Sequence, residues 1–399
     1  MKKKVLITMP YMHIGGGERS LLGLLYSFDY TQYDVDLFLF SHEGEFMKQI
    51  PPQVNLLPEK HSYTVLCRSL DQLKSEKRYF WYILKYIAVI IAVIRYKISG
   101  KRVNEYGITQ YFESLLVPFL PKINKKDYDI ALSFMNYHSI IKNRVHAKVR
   151  CGWFHSDYSK LIGFIKKDTK AWNKMDYIIN VSDEANHIFM KYHSQLPKYK
   201  CIVIENILSS SLIIQQAATP AKPILYNKND INILTIGRYS KVKRFDRAIK
   251  AYNILRQKYS NIKWYIIGEG EEDEYINTLI SNYNLENQFI NLGKKENPYP
   301  YIKECDIYVQ PSDYEGKSVC VREAQILGKP VIITNYSTSA SQIINGKDGL
   351  ICDMSADAVA NTISKLIDNP KLIKQLSDNC FESDYSNQTE INKLYQLIK

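Results

Sequence analysis

Short runs of consecutive apolar residues alternate along this chain with longer stretches in which apolar residues recur every three or four positions. The first run, KVLITMP, ends at Gly15-Gly16-Gly17 and is followed by the helical pattern SLLGLLYSF. DVDLFLF, DIALSF, VRCGWF, YIINVS and CIVIEN are the further strand candidates of the first half. From about Ile207 to Asn229 the rhythm gives way to SSS, TPAKP and NKND, which reads as a linker. It then restarts: strand INILTIG, helix FDRAIKAYNILRQKY, strand IKWYIIG, helix EDEYINTLISNYN and strand FINLG. CDIYVQP, the helix VCVREAQILG, the strand KPVIITN and a pair of helices from Ala356 complete the second half.

Apolar runs separated by helical segments predict α/β layers with parallel sheets. The expected architecture is two Rossmann-like α/β domains facing each other across a cleft, since ligands of open α/β sheets bind at the carboxyl ends of the strands. The expected boundaries are 1–206 for the first domain, 207–229 for the linker and 230–384 for the second domain. The terminal segment 385–399, with the periodic INKLYQLI, is expected to pack back on the first domain.

One segment departs from the rhythm. Arg78 to Arg102, RYFWYILKYIAVIIAVIRYKISGKR, is apolar, rich in aromatics and flanked by basic residues. Lys85 interrupts it, and the uninterrupted run Tyr86–Ile94 falls far short of the roughly 20 residues of a membrane span. A helix buried in the first domain is one reading. The other is a helix lying in a membrane interface, with Trp81 and the tyrosines at headgroup depth.

Charge bears on that choice. The net charge is +12, and residues 1–200 hold 30 Lys and Arg against 18 Asp and Glu, whereas 201–399 hold 23 of each. A first half so basic attracts polyanions or anionic headgroups, unless the lysines simply form a solvated face. The excess favours the interface reading and an anionic membrane surface as partner. The seven cysteines, Cys67, Cys151, Cys201, Cys305, Cys320, Cys352 and Cys380, are odd in number and show no CxxC pair. That pattern argues against a disulfide framework or zinc site and for a reducing compartment. The start MKKKVLITMP runs directly into a strand pattern without the apolar core of a signal peptide.

Candidate chemistry gathers at strand ends. Glu315-Gly316-Lys317-Ser318-Val319-Cys320-Val321-Arg322-Glu323 follows a strand and opens a helix. A helix start offers unpaired N–H groups and a favourable dipole to an anion. Glu315 stands just ahead of it, suited to accept hydrogen bonds from hydroxyls. Glu323, eight residues on, lies roughly 12 Å farther along a helix, so one segment spans both ends of an extended ligand. Gly237-Arg238 ends the strand INILTIG, with Lys243 five residues beyond. A guanidinium fork and an ammonium suit a diphosphate, although Lys241, Arg244 and Arg247 beside them also fit a surface basic cluster. Gly15-Gly16-Gly17 allows close approach of backbone to a ligand, or is only a tight turn. Gly268-Glu269-Gly270 reads as architectural. Trp153-Phe154-His155-Ser156-Asp157 ends a first-half strand, where His155 either meets a ligand hydroxyl or is a satisfied core histidine.

Taken together, IGRYSKVK, IIGEG, FINLG, EGKSVCVREAQILGKPVI and NGKDGL, with GGGER, WFHSD and INVSDE in the first half, resemble a family 4 glycosyltransferase of the two-domain GT-B type. The resemblance is strongest from Ile231 to Ile351. It implies retaining transfer of a sugar from a nucleoside diphosphate donor, UDP above all, with no metal or other cofactor required. Glu315, Arg238, Lys243 and His155 become the candidate catalytic residues. Arg238 and Lys243 would hold the diphosphate, Glu315 and the amides of Gly316, Lys317, Ser318 and Val319 the sugar and phosphate, and Glu323 the ribose. Gly16 and Gly17 would approach the donor phosphates, His155 the donor sugar, and Gly293-Lys294 the base. Lys317-Ser318 departs from the aromatic or proline-containing stretch of many members and leaves the donor sugar open.

Asp34-Val35-Asp36 and Asp127-Tyr128-Asp129 have the DxD spacing of some metal-dependent transferases, but both lead into strands and read as strand-edge residues. The expected reaction is sugar transfer to a glycan acceptor, lipid-linked, in capsule or O-antigen-type polysaccharide synthesis. The expected place is the cytoplasm, peripheral on the inner membrane face, with no nucleic-acid partner. A nucleotide-sugar epimerase on the same scaffold and a non-catalytic polyanion-binding protein are the alternatives.

Overall fold

The computed structural model describes residues 2–100, 102–155, 158–161, 163–220, 226–227, 229–315 and 317–398. The chain divides into two compact units, Met1–Leu208 with Asn387–Lys399, and Ser209–Ser386.

The first unit is built on strands β1 (Lys3–Met9), β2 (Tyr33–Leu39), β3 (Asn55–Leu56), β4 (Asp127–Ser133), β5 (His146–Phe154), β6 (Tyr177–Asn180) and β7 (Cys201–Val203). They form one parallel sheet in the order β3-β2-β1-β4-β5-β6-β7. Parallel strands are covered on both faces, which is why their sequences read as unbroken apolar runs. Val5, Leu6 and Ile7 are wholly buried accordingly. The helix Ile391–Gln396, at the end of the chain, also belongs to this unit: Tyr395 stacks on Tyr33 at 4.2 Å and its hydroxyl accepts from the Asp29 amide at 2.9 Å.

The second unit holds β8 (Ile231–Ile236), β9 (Ile262–Ile267), β10 (Phe289–Asn291), β11 (Ile307–Gln310), β12 (Val331–Thr334) and β13 (Leu350–Cys352), parallel in the order β10-β9-β8-β11-β12-β13. Phe245, Ala248, Ile249, Tyr252 and Leu255 fall at helical spacing on one face of Phe245–Leu255 and enter its core. In both sheets the order in which strands are added reverses beside the first strand of the unit, between β1 and β4 and between β8 and β11. Such switch points open a crevice at the carboxyl ends of the strands.

One expectation changes, and one of two open readings falls. The stretch read as a linker contains the helix Ser210–Ala217, capped by the Ser209 hydroxyl and buried through Leu212, Ile213 and Ala217. Ser209 therefore begins the second unit rather than a connector. The segment around Tyr86–Ile94 is not a core helix: Tyr79–Ser99 is one continuous helix in which only Ala88, Ala92 and Tyr96 are buried.

Candidate functional site

All six strands of the second sheet point the same way, so the segments leaving them share one edge. Gly237-Arg238 leaves β8, Gly268–Gly270 leaves β9, Gly293-Lys294 leaves β10, and the loop to Ser318 leaves β11. These segments are stitched together. The Gly237 amide donates to Ile267 O at 3.0 Å and the Gly268 amide to Gly293 O at 3.2 Å. A side chain at Gly268 would collide with the Gly237 carbonyl oxygen, so that glycine is required for the two strand ends to lie this close. Gly293 turns with φ 65°, and its amide is held by Asn291 Oδ1 at 2.9 Å. Lys294 pairs with Glu269 at 2.8 Å.

At the centre of the edge, Lys243 and Glu315 form a close ion pair, with Nζ at 2.6 and 2.7 Å from the two carboxylate oxygens. The resemblance gave these residues separate stations, the diphosphate and the sugar. The structure brings them into contact. Glu315 is buried and is held further by the Ser312 hydroxyl at 2.7 Å, while Thr338 donates to its carbonyl at 2.7 Å. Ser312 accepts in turn from Gln310, and Gln310 from Tyr308, at 3.0 and 2.8 Å. A buried carboxylate needs such partners, because leaving water costs it several kcal/mol. Lys243 meets that need with two of the three donors of its ammonium.

Arg244 and Arg247 do not form a surface basic cluster. Arg247 is buried, donates to Pro311 O at 2.7 Å and reaches Asp313 at 2.6 Å. Arg244 forks onto the same Asp313 and onto Asp246. These pairs hold the Asp313 carboxyl below its ordinary range despite partial burial. Their effect is mechanical: they tie the turn carrying Lys243 to the loop carrying Glu315. Arg238, by contrast, extends from the edge, 76% exposed, with a 3.3 Å contact to the exposed Glu271.

The helix Val319–Ile326 begins beyond Ser318, whose side chain does not cap it. Gly316 lies outside the described residues, and Lys317 is exposed. Ser318 is clasped from both sides by Gln342: its amide donates to Oε1 at 3.1 Å, and its carbonyl accepts from Nε2 at 2.6 Å. Tyr336 steadies the clasp by donating to the same Oε1 at 2.9 Å. The Ser318 amide is therefore already engaged, which removes it from the expected set of phosphate-facing groups. Glu323 also differs from expectation. It is wholly buried and accepts from the Tyr299 hydroxyl at 2.9 Å, so a ribose reaches it only if its cover moves.

In the first unit the helix Gly16–Ser27 starts within the glycine run, with no side-chain cap from Gly15. A side chain at Gly16 would meet nothing within 4 Å, and one at Gly17 would press on Met135. His155, at the end of β5, lies 4.5 Å from Phe134 and stacks near Trp153. Its ring nitrogens are sealed from solvent and meet no partner at full hydrogen-bond geometry among the described residues. Burial draws His155 down to about 4 and neighbouring His138 to about 3, so both imidazoles are neutral near pH 7. Ser156 and Asp157 lie outside the described residues.

The DxD aspartates are not all edge residues. Asp36 is buried in β2, bound by Tyr128 at 2.6 Å, Asn55 at 2.9 Å and Lys126 at 3.0 Å. Asp129 takes the Lys4 amide and Lys148. Among the described residues no group of three or more His, Cys, Asp or Glu side chains is placed to hold a metal ion.

Two parallel α/β units with polar side chains gathered at strand ends define a GT-B type fold, and comparison with known proteins agrees. The profile described as "Glycosyl transferases group 1" matches residues 219–382. Staphylococcus aureus TarM superposes with a TM-score of 0.65 at 15% identity, covering 100% of this chain and 99% of that one. Anabaena HepE, solved with UDP and glucose, gives 0.65 at 15% identity, covering 99% and 98%. Among curated relatives, the poly(ribitol-phosphate) alpha-N-acetylglucosaminyltransferase of Staphylococcus aureus is 25% identical over 238 residues, 58% of this chain and 48% of its own length. The Campylobacter jejuni N-acetylgalactosamine-N,N'-diacetylbacillosaminyl-diphospho-undecaprenol 4-alpha-N-acetylgalactosaminyltransferase is 27% identical over 203 residues, 50% of this chain and 53% of its own. The chain thus spans about half the length of these two curated relatives.

Proposed function

We propose that this protein transfers a sugar from a nucleoside diphosphate donor, UDP-linked, to a glycan acceptor, with retention of configuration at the anomeric carbon. The observation that carries the reading is the Lys243–Glu315 pair, set between exposed Arg238 and an uncapped helix start on one sheet edge. As the bond from the anomeric carbon to the diphosphate oxygen breaks, negative charge grows on the diphosphate. Arg238, exchanging its exposed pairing with Glu271 for phosphate, and the third donor of Lys243 stabilise that charge. Exposed ion pairs of this kind exchange readily, since they contribute little. No metal is assigned to the step.

Glu315, fixed by Lys243 and Ser312, presents its remaining lone pairs to the sugar hydroxyls. Glu323 takes the ribose once the Tyr299 side displaces. Gly293-Lys294 faces the base, and the open backbone at Gly16-Gly17 approaches the phosphates. His155, neutral, supplies a hydrogen bond and no charge. UDP in the solved HepE complex and the activity of the Campylobacter jejuni relative support the donor class and a lipid-linked acceptor. The relative named for capsular polysaccharide biosynthesis in Staphylococcus aureus supports a role in surface glycan assembly. We place that reaction at the cytoplasmic face of the membrane.

The test is product formation. UDP-sugars are incubated with undecaprenyl-diphosphate glycans, and products are read by mass spectrometry and anomeric coupling. A glycan extended with the donor's own anomeric configuration supports the proposal. Inversion, or an epimerised donor in the absence of acceptor, overturns it.

A further inference from the structure

We propose that the outer face of the helix Tyr79–Ser99 is a membrane-docking surface that lies in the headgroup region of an anionic bilayer. This surface is independent of the donor site, and it deepens the proposed reading only by giving a lipid-borne acceptor a place of encounter.

The helix has 21 residues, and length and composition alone would let it cross a membrane. Its inner side forbids that. Ala88, Ala92 and Tyr96 are buried, the helix packs against Glu105–Leu116, and the Lys85 ammonium is bound to the Arg68 carbonyl. The small alanines let the two helices approach, and a side chain at Gly107 would collide with the Tyr96 hydroxyl. One side of the helix is thus fastened along its length to folded protein.

The other side is a row of large apolar residues. Phe80, Ile83, Ile87, Ile90, Ile94 and Ile98 are each between 40% and 75% exposed. The row continues beyond the helix, because Phe119 packs edge-on against Phe80 at 5.4 Å and is itself exposed. Isolated exposed apolar residues are ordinary, but a contiguous row of this size marks an interaction surface.

Three features select a bilayer as the occupant. The apolar arc, from Tyr86 round to Phe80, is about 120° wide at helical spacing, broader than the two-position seam of a coiled coil. The helix carries no acidic residue, Arg95 and Lys97 near its end are both exposed, and the first 200 residues hold the chain's whole basic excess. Tyr79 and Tyr86 are exposed on the same side, where amphipathic rings suit the headgroup layer. A helix with an apolar face, basic flanks and one side held by protein lies along an interface rather than through it.

The experiment is co-sedimentation of the full chain with vesicles of phosphatidylglycerol and phosphatidylcholine in equal parts. Binding is expected to weaken on pure phosphatidylcholine and in high salt. The triple variant Ile87→Asp, Ile90→Asp and Ile94→Asp is expected to lose at least about tenfold in partition, with an unchanged thermal midpoint. Ile90→Asp alone serves as the milder variant if the triple one unfolds. UDP binding, measured on the same samples, should not change, so failure here is separable from failure of the transferase reading. The proposal is overturned if the wild type stays in the supernatant or the folded variants bind as well as it does. It is equally overturned if the lipid-free wild type is a dimer that these substitutions dissociate, since the row would then be covered by a second copy.

Discussion

Lys243 and Glu315 stand 72 residues apart in the chain and meet end to end, the ammonium 2.6 and 2.7 Å from the two carboxylate oxygens. The lysine comes from a turn held by Arg244 and Arg247, and the glutamate from a loop held by the Asp313 that both arginines share. Because Glu315 is buried, the pair is both a structural joint and the charge centre of the site. Removing Lys243 strands a buried carboxylate, whereas removing both partners does not. Lys243→Met should therefore cost about 3 kcal/mol of second-unit stability, and Lys243→Met with Glu315→Gln markedly less. Denaturant unfolding of the four chains measures this. Equal and additive losses would show that the two residues do not depend on each other.

Arg238 offers the opposite case. Its exposed side chain should contribute to stability only within about 0.5 kcal/mol, yet in the proposed reaction its guanidinium meets the diphosphate. Arg238→Ala is expected to keep the wild-type thermal midpoint and lower turnover by about a hundredfold. A variant of full activity would remove Arg238 from the site.

Gln342 acts through Ser318. Gln342→Ala takes away a donor and an acceptor from buried backbone groups, at a cost of about 1–3 kcal/mol, and loosens the segment ahead of Val319–Ile326. The donor KM should rise more than kcat falls. Gln342→Glu retains the acceptor and should recover part of the loss through the Ser318 amide and the Tyr336 hydroxyl, but not through the Ser318 carbonyl. Unchanged donor KM in Gln342→Ala would leave the clasp a purely structural feature.

Three imidazoles drawn down by burial, His155, His138 and His193, set an acid limit. Folded His155 and His138 lie at about 4 and about 3, below the ordinary histidine value, so below pH 6.5 the unfolded chain binds protons that the folded chain refuses. Their contribution is present above about 6.5 and is lost as pH falls towards 4 and then 3. The slope is up to about 1.4 kcal/mol per pH unit for each histidine. His155→Leu should flatten the first-unit stability profile between pH 6.5 and 4. An unaltered profile would mean that His155 titrates normally in the fold.

Much of the fold was legible because parallel strands covered on both faces leave a plain signature, and KVLITMP and INILTIG carry it. The strand-end placement of Arg238, Gly293 and Glu315 follows from the same runs. Contacts across the edge were not legible. Nothing local in the sequence pairs Lys243 with Glu315 or aims Gln342 at Ser318, because those meetings depend on how neighbouring strand ends are set side by side. Burial was hidden for the same reason: Asp36 and Glu323 look like surface carboxylates until Tyr128 and Tyr299 are found above them. The helix Ser210–Ala217 escaped because two turns of helix between serine- and proline-rich stretches give too short a period to read.

The most direct measurement is calorimetric titration of UDP and of uridine into the wild type, Arg238→Ala and Lys243→Met. One UDP per chain, bound far more tightly than uridine and weakened at least about tenfold by each substitution in folded protein, is the predicted result. UDP binding no better than uridine, or indifferent to both cations, would contradict a diphosphate site on the second sheet's edge.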